Sequence, residues 1–279
     1  MNNEKKKSVL DRVSQVVGKN NRLGKLISGY SKLKEANYIS SHFSSYLMPV
    51  VAHNESIREE SFRIRHNVYC EELAFEPVRE NSLEMDEFDS FSLHCLIQHI
   101  ASANFAGTVR LVRPIETHQQ LPIEKFCLDS ITHEKLNPSN FARQDICEIS
   151  RLAVPKQFRR RKFDAHEGAA VGAINEYTYS ETELRCFPFI AVGLYFAAAA
   201  MVIDNQIKHA YVMMEPRLAR SMSFVGIKFE QIGPIIEYHG KRAPYYINQN
   251  LLEKTLSPGF ANMLKDIREA IAKQKQLPE

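Results

Sequence analysis

Strand-like and helix-like stretches alternate along this chain and end in a hairpin pattern. This order predicts an α/β (α+β) fold, a mixed sheet of about six or seven strands flanked by helices. Three stretches carry the prediction. Gly107–Val112 and Ile146–Val154 are rich in Val, Ile and Thr, the composition of strands. The apolar run Phe187–Ile203 reads as a buried helix, and His209–Met214 follows it as a further strand.

Taken in order, residues 8–35 set Leu23, Leu26, Ile27, Tyr30 and Leu33 at helical spacing among Arg22, Lys25, Lys32 and Lys34. Residues 1–50 hold nine Lys/Arg against Glu4, Asp11 and Glu35, a charge of +6. The whole chain is +3, so the body beyond residue 50 is net acidic. A basic amphipathic helix of this kind either packs on the body or makes a peripheral contact with an anionic membrane. Tyr30 is the only large aromatic on its apolar face, which favours packing. No continuous apolar run follows Lys5–Lys7, so no signal peptide is expected.

Ser56–Leu73 reads as a helix, with Ile57, Phe62, Ile64, Val68 and Tyr69 apolar and Glu59–Glu60 in its first turn. Strands follow at Leu93–Ile100 and Gly107–Val112. Residues 114–145 form a loop-rich stretch holding Pro114, Pro122 and Pro138, and strand Ile146–Val154 is stopped by Pro155. The apolar helix spans Phe189–Ile203; it is shorter than the roughly 20 residues a membrane span needs, and Asp204 closes it. After His209–Met214 come a short helix, Arg217–Phe224, ended by Gly226, and strands Phe229–Tyr238 and Tyr245–Asn248 about a His239–Gly240 turn. Phe260–Lys273 is a C-terminal helix. The division expected is a basic helical extension 1–50, a domain 51–250, and a C-terminal helix 251–279 packed on it.

Composition excludes several classes. A chain that is 44% hydrophobic and 25% charged is an ordinary globular protein rather than a disordered one. The five cysteines (70, 95, 127, 147, 186) are scattered and never form Cys-x-x-Cys, so neither a metal site nor a disulfide framework is expected, and a reducing cytoplasm fits. The acidic body speaks against nucleic acid as partner.

Charged residues mark the candidate site. Arg65 and Tyr69 are followed by Phe75, the cluster Glu84-Met-Asp86-Glu-Phe-Asp89, Gly107-Thr-Val-Arg110, Phe126, and Glu148-Ile-Ser-Arg151. Arg110, Glu148 and Arg151 lie within otherwise apolar strands, where an unpaired charge is costly. The acidic cluster is the natural partner of the arginines, with solvated loop as the plain alternative for Asp86 and Asp89. For Glu148 the plain alternative is an ion pair with Arg110 or Arg151. Cys147 is read as a buried small hydrophobe and His239 as part of a turn.

In this order the residues resemble the acyl-homoserine-lactone synthases, acyltransferases of the GCN5-related N-acetyltransferase (GNAT) fold. Met214-Glu-Pro-Arg-Leu-Ala-Arg220, Phe229-Glu-Gln-Ile-Gly-Pro234 and Tyr238-His-Gly-Lys-Arg-Ala-Pro244 are similar to acyltransferases associated with PEP-CTERM/exosortase systems, which are related to N-acyl amino acid synthases. The resemblance covers about residues 55–250. It implies a GNAT-like sheet and transfer of a long-chain acyl group from acyl carrier protein, or acyl-CoA, to the amine of an amino acid or related small molecule. No permanently bound cofactor is implied; the acyl-phosphopantetheine thioester is a co-substrate. Alternatives are a signal synthase using S-adenosylmethionine and a non-catalytic carrier-binding protein of an export system. The expected location is the cytoplasm, with the extension either packed on the domain or in peripheral contact with the inner membrane face.

By the same resemblance Glu148, with Arg151 beside it, matches the catalytic position: Glu148 takes the amine proton through water. Arg65, Asp86, Asp89 and Arg110 match an ion network lining the acceptor pocket, and Tyr69, Phe75 and Phe126 match its wall. Tyr69 and Phe75 stand where the lactone synthases usually have Phe and Trp, so S-adenosylmethionine is not implied as acceptor. The donor is expected where two parallel strands part, after Arg151–Val154. There Val154, Arg159, Arg160, Arg161 and Lys162 replace the usual glycine-rich turn with four cations, suited to an acidic carrier protein, with a solvated basic loop as the plain alternative. The chemistry is simple: an unprotonated amine attacks a thioester, helped by juxtaposition and a base.

Overall fold

The computed structural model describes residues 42–158 and 189–274. The helix expected at 8–35, Cys186 and the run Arg159, Arg160, Arg161 and Lys162 lie outside the described residues. A single eight-stranded sheet organises the rest: β1 (Leu47–Val51), β2 (Ser92–His99), β3 (Phe105–Val112), β4 (Ile146–Ala153), β5 (His209–Met214), β6 (Glu230–Gln231), β7 (Ile236–Glu237) and β8 (Lys241–Ile247). Strand order is β1-β2-β3-β4-β5-β8-β6, with β7 also on β8. β4 and β5 run parallel and every other pair is antiparallel. The strand count exceeds the six or seven expected, for two reasons. β1 is a short edge strand carrying Pro49, and the stretch expected as one strand at Phe229–Tyr238 is broken around Gly233-Pro234 into β6 and β7. The turn at His239–Gly240 joins β7 directly to β8, with Gly240 at φ +93° and His239 at φ 48°.

Beyond β1, the α-helices among the described residues are α1 (Glu55–Arg65), α2 (Pro122–Cys127), α3 (Ile190–Asp204), α4 (Pro216–Phe224), α5 (Gln249–Thr255) and α6 (Pro258–Gln274). α1 starts at Asn54, whose side chain accepts from Ile57 N–H, and its winding widens into a π-helical segment, His66–Glu72. α3 is apolar all round and is buried between the sheet and α6; Phe196 meets Phe260 there. No helix among the described residues is long and apolar enough to cross a membrane.

Register sorts the sheet into two faces. Leu93, Leu111 and Ile149 line up across β2–β4, Cys147, Ala210 and Ile247 across β4, β5 and β8, and all face α3 and α6. On the opposite face Ser92, Val112, Glu148, Tyr211 and Tyr246 form one row and His94, Arg110 and Ser150 the next. Two apolar clusters flank these rows, Ile64, Val68, Leu96 and Ala153 on the α1 side and Phe88, Val112, Ile123, Tyr211 and Tyr246 on the α2 side. Charged residues fill the space between.

β4 carries one extra residue against β3: Arg110 pairs Ser150, but Thr108 pairs Ala153. Arg151 takes the left-handed conformation at φ 49° to absorb it. In an unbroken strand Arg151 would share the α3 face with Ile149; the bulge turns it to the polar face instead. Gly107 permits the close crossing, because a Cβ there would stand 2.8 Å from Ala153 O and 2.9 Å from Leu194 Cδ1. Gly107→Ala is therefore expected to destabilise by about 1–3 kcal/mol, the usual cost of overpacking, read as a lower urea midpoint at unchanged slope.

Candidate active site

Three arginines of the polar face are tied to four carboxylates. Arg65, from the last turn of α1 and wholly buried, donates from Nη1 and Nη2 to the two oxygens of Asp89 at 2.6 and 3.0 Å and from Nε to Glu84. Arg110 donates to Asp86, to Asp89 at 3.0 Å and to Ser150 Oγ at 3.1 Å. Arg151 donates to Glu76 at 3.0 Å and to Glu84 at 3.2 Å, lies 3.4 Å from Asp86, and stacks over the Tyr69 ring at 5.5 Å. Asp89 is the hub: 5% exposed, it also accepts from Asp86 N–H, closing a capping box at the 3-10 turn Glu87–Phe91. Asp86 and Asp89 are thus members of a desolvated network, not a solvated loop.

Electrostatics follow the geometry. Burial raises the Asp89 carboxyl, but bonds and charge from Arg65, with the charge of Arg110, overcome it and hold the group well below the usual carboxylate range. Glu84 is likewise lowered by Arg65 and Arg151 against the effect of its burial. His94, in the next row, is pushed down to about 3 by burial and by Arg65 and Arg110, outweighing Asp89; it is neutral at ordinary pH. Its Nε2 lies 3.6 Å from Asp89 Oδ1 without a hydrogen bond.

Glu148 behaves differently. It sits at the centre of the same face, 3% exposed, and accepts from Ile123 N–H at 2.6 Å through Oε2. Among the described residues it has no ion-pair partner, so the expected alternative of a salt bridge to Arg110 or Arg151 is not realised; both arginines are taken by the acidic cluster. Burial pushes its pKa up to about 8, against the bond from Ile123 and the charges of Arg110 and Arg151. β4–β5 pairing runs from Ile146/His209 only to Glu148/Tyr211, while β4 continues to Ala153 and β5 to Met214. The parallel strands part immediately after Glu148, earlier than the sequence suggested, leaving facing strand edges without ladder partners.

Tyr69 O–H donates to Leu152 O at 2.8 Å and so holds the bulge from the π-helical segment. Phe75 and Phe126 form an open rim: Phe126, 52% exposed, stacks on Tyr238 at 6.5 Å, and Phe75 lies 5.7 Å from the His239 ring. The Val154 side chain belongs to the main core, which leaves only its backbone for a donor. Cys147 is fully buried in the main core, its thiol pushed upward by burial and then by Glu148, as suits a structural thiol. Sequence reasoning did not assign site roles to Glu76, Glu84, His94, Ser150, Tyr238 or Arg242. Glu84 stood in the acidic cluster, and Tyr238 and Arg242 in the downstream motif; Glu76 and His94 carried no comparable signal.

Residues 64–167 match the family model described as an acetyltransferase (GNAT) domain, a span that runs from the end of α1 through β4. No curated protein matches the chain in sequence. Among solved structures it is similar to the AHL synthase LasI, with a TM-score of 0.51 and 15% identity over 76% of this chain and 97% of that one. It is similar to the CoA-dependent acyl-homoserine lactone synthase BjaI with MTA, with a TM-score of 0.53 and 18% identity over 78% and 89%. It is also similar to FeeM, an N-acyl amino acid synthase from uncultured soil microbes, with a TM-score of 0.50 and 14% identity over 75% and 94%. At these identities the structural likeness is one of fold, and that fold is GNAT-like. The matched segment supports an acyltransferase of the GNAT type.

Proposed function

We propose that this chain is an N-acyltransferase moving a long-chain acyl group from an acyl-phosphopantetheine thioester to the amine of an amino acid or related small molecule. The observation that carries the reading is Glu148, a buried carboxyl without a cation partner among the described residues, raised to about 8, at the point where β4 and β5 part. In the step proposed, the amine nitrogen bonds to the thioester carbon and the C–S bond breaks. Glu148 accepts the amine proton directly or through water and passes it to the departing thiolate, which leaves as the thiol. Asp89 and Glu84 are held low by their arginines, and the ion network serves to hold the acceptor wall rigid. Free strand edges beyond Glu148 offer backbone donors for the thioester arm. The long chain follows from the resemblance of the motifs; the uncharged seam on the other face of β4, lined by Ile149, Tyr195, Val202, Ile227, Phe229 and Leu252, must widen to take one.

The test is to incubate the protein with C10–C16 acyl carrier protein or acyl-CoA and a panel of amino acids, following thiol release and product mass. An N-acyl amino acid supports the reading. An acyl lactone formed only with S-adenosylmethionine would make the chain a lactone synthase like LasI and BjaI, and carrier binding without thioester consumption under any amine would make it a non-catalytic carrier-binding protein. The donor's protein part is tested separately. Changing Arg159, Arg160, Arg161 and Lys162 to Ser is expected to raise KM for the carrier substrate several-fold at low salt, with kcat nearly unchanged and a short acyl-pantetheine little affected. An unchanged KM would remove the run from docking. This reading sets the reaction in the cytoplasm, with the basic extension either packed on the body or in peripheral contact with the membrane.

A further inference from the structure

Beside the three paired arginines of the polar face stands a fourth, Arg242, that is unmatched. Arg65, Arg110 and Arg151 are held by Glu76, Glu84, Asp86 and Asp89. Arg242, on β8, has neither a hydrogen bond nor a carboxylate partner among the described residues, and its Nε is buried without an acceptor. A sequestered guanidinium N–H lacking an acceptor is costly and uncommon in a folded protein. The side chain is half-buried and lies over the Phe75 ring at 6.0 Å, which fixes the guanidinium plane at the rim.

Its position is set by register. Arg242 is two residues before Pro244 and four before Tyr246, on the same sheet face as Tyr211 and Glu148. Its charge acts on Tyr69 together with that of Arg151, and on Tyr238 together with those of Arg151 and Glu148. Phe75, Tyr238 and Phe126 wall the space around it. The opening therefore holds a proton acceptor at its floor, aromatic rings at its rim and a fork-shaped cation with nothing to bind.

We propose that Arg242 binds the carboxylate of the acceptor, so that the enzyme selects amines that are also acids, the α-amino acids, over simple amines. The inference rests on the N-acyl transfer reading and adds the substrate class. A guanidinium pairs with a carboxylate through two parallel N–H···O bonds, which fixes orientation as well as position. With the carboxylate at Arg242, the amine one carbon away points inward toward Glu148 and the side chain is left against Phe75 and Phe126. A donor phosphate is the other anion that could meet this cation, and the experiment separates the two.

The probes are N-decanoyl-glycine, N-decanoyl-leucine and N-decanoyl-phenylalanine, each beside its methyl ester, titrated calorimetrically into the parent protein, Arg242→Ala and Arg242→Lys. At least one acid is expected to bind the parent tenfold or more tightly than its ester. That preference should vanish in Arg242→Ala and partly survive in Arg242→Lys, with CoA affinity equal in all three. Equal binding of acid and ester by the parent, or binding of neither, overturns the proposal, as does a loss confined to CoA, which would assign Arg242 to the donor phosphate. Turnover is scored independently: thiol release with simple amines at rates equal to amino acids leaves the acyl-transfer reading standing and removes Arg242, whereas no release with any amine removes the reading itself.

Discussion

Glu148→Gln is expected to lower turnover by about two orders of magnitude, the usual worth of a general base, while the protein remains folded. The amide keeps an oxygen to accept from Ile123 N–H, so the one bond that orients the side chain survives. In the parent, kcat/KM should rise with pH through an inflection near 8, where the buried carboxyl ionises. The mutant should keep only the rise that belongs to the amine's own deprotonation, so the deficit shrinks when free amine is abundant. A mutant that matches the parent at neutral pH and shows the same inflection removes Glu148 from the proton transfer.

The same substitution has an opposite effect on stability. A carboxyl raised to about 8 in the fold from about 4.3 in the unfolded chain binds more protons folded than unfolded between those values. Its contribution to stability therefore falls as pH rises through that window. Gln has no such penalty, so at pH 8 Glu148→Gln should melt at or above the parent temperature, an advantage that disappears below about pH 4. Lost activity together with retained or increased stability is the pattern of a group held at a site against the preference of the fold. Loss of both would mean that Glu148 is structural.

The spacing of charges was legible because packing alone cannot account for Arg110, Glu148 and Arg151 inside apolar strands. The same reasoning placed Asp86 and Asp89 opposite them. What it could not supply was the face on which each side chain lands. Glu148 and Arg151 are three residues apart, which in a regular strand separates them to opposite faces. They share one only because Arg151 adopts φ 49°, and neither Ser150 nor Leu152 announces that turn. The edge strand β1 was missed because five residues with a proline in the middle carry no alternation long enough to count. The expected strand at Phe229–Tyr238 failed at Gly233, whose Cβ would stand 1.8 Å from Ser130 O. Gly233 marks a close approach between loops, and such long-range crowding leaves no local trace. Arg242 stood within a quoted motif, yet its lack of a partner is a property of the folded cleft alone.

Asp89→Ala should be the most damaging single change in the network, costing about 3–5 kcal/mol, the range for stripping a buried cation of its partner. Two buried arginines are affected at once, because Arg65 loses both Nη bonds and Arg110 loses one. Arg65→Met alone should also be severe, since Asp89 and Glu84 are then left desolvated and unmatched. The double variant removes the mismatch together with the pair and should lose clearly less than the two single losses combined. Acid separates the variants further. A carboxyl held below its unfolded value of about 3.9 adds stability above that pH and loses it as pH falls toward the folded value. Parent stability should therefore drop below about pH 4, and Asp89→Ala should lack that part of the slope. Strict additivity in the Asp89/Arg65 cycle, with parallel acid limbs, would mean that the short contacts between the two residues carry no coupling. The network would then be a set of independent charges rather than the rigid wall against which an acceptor is held.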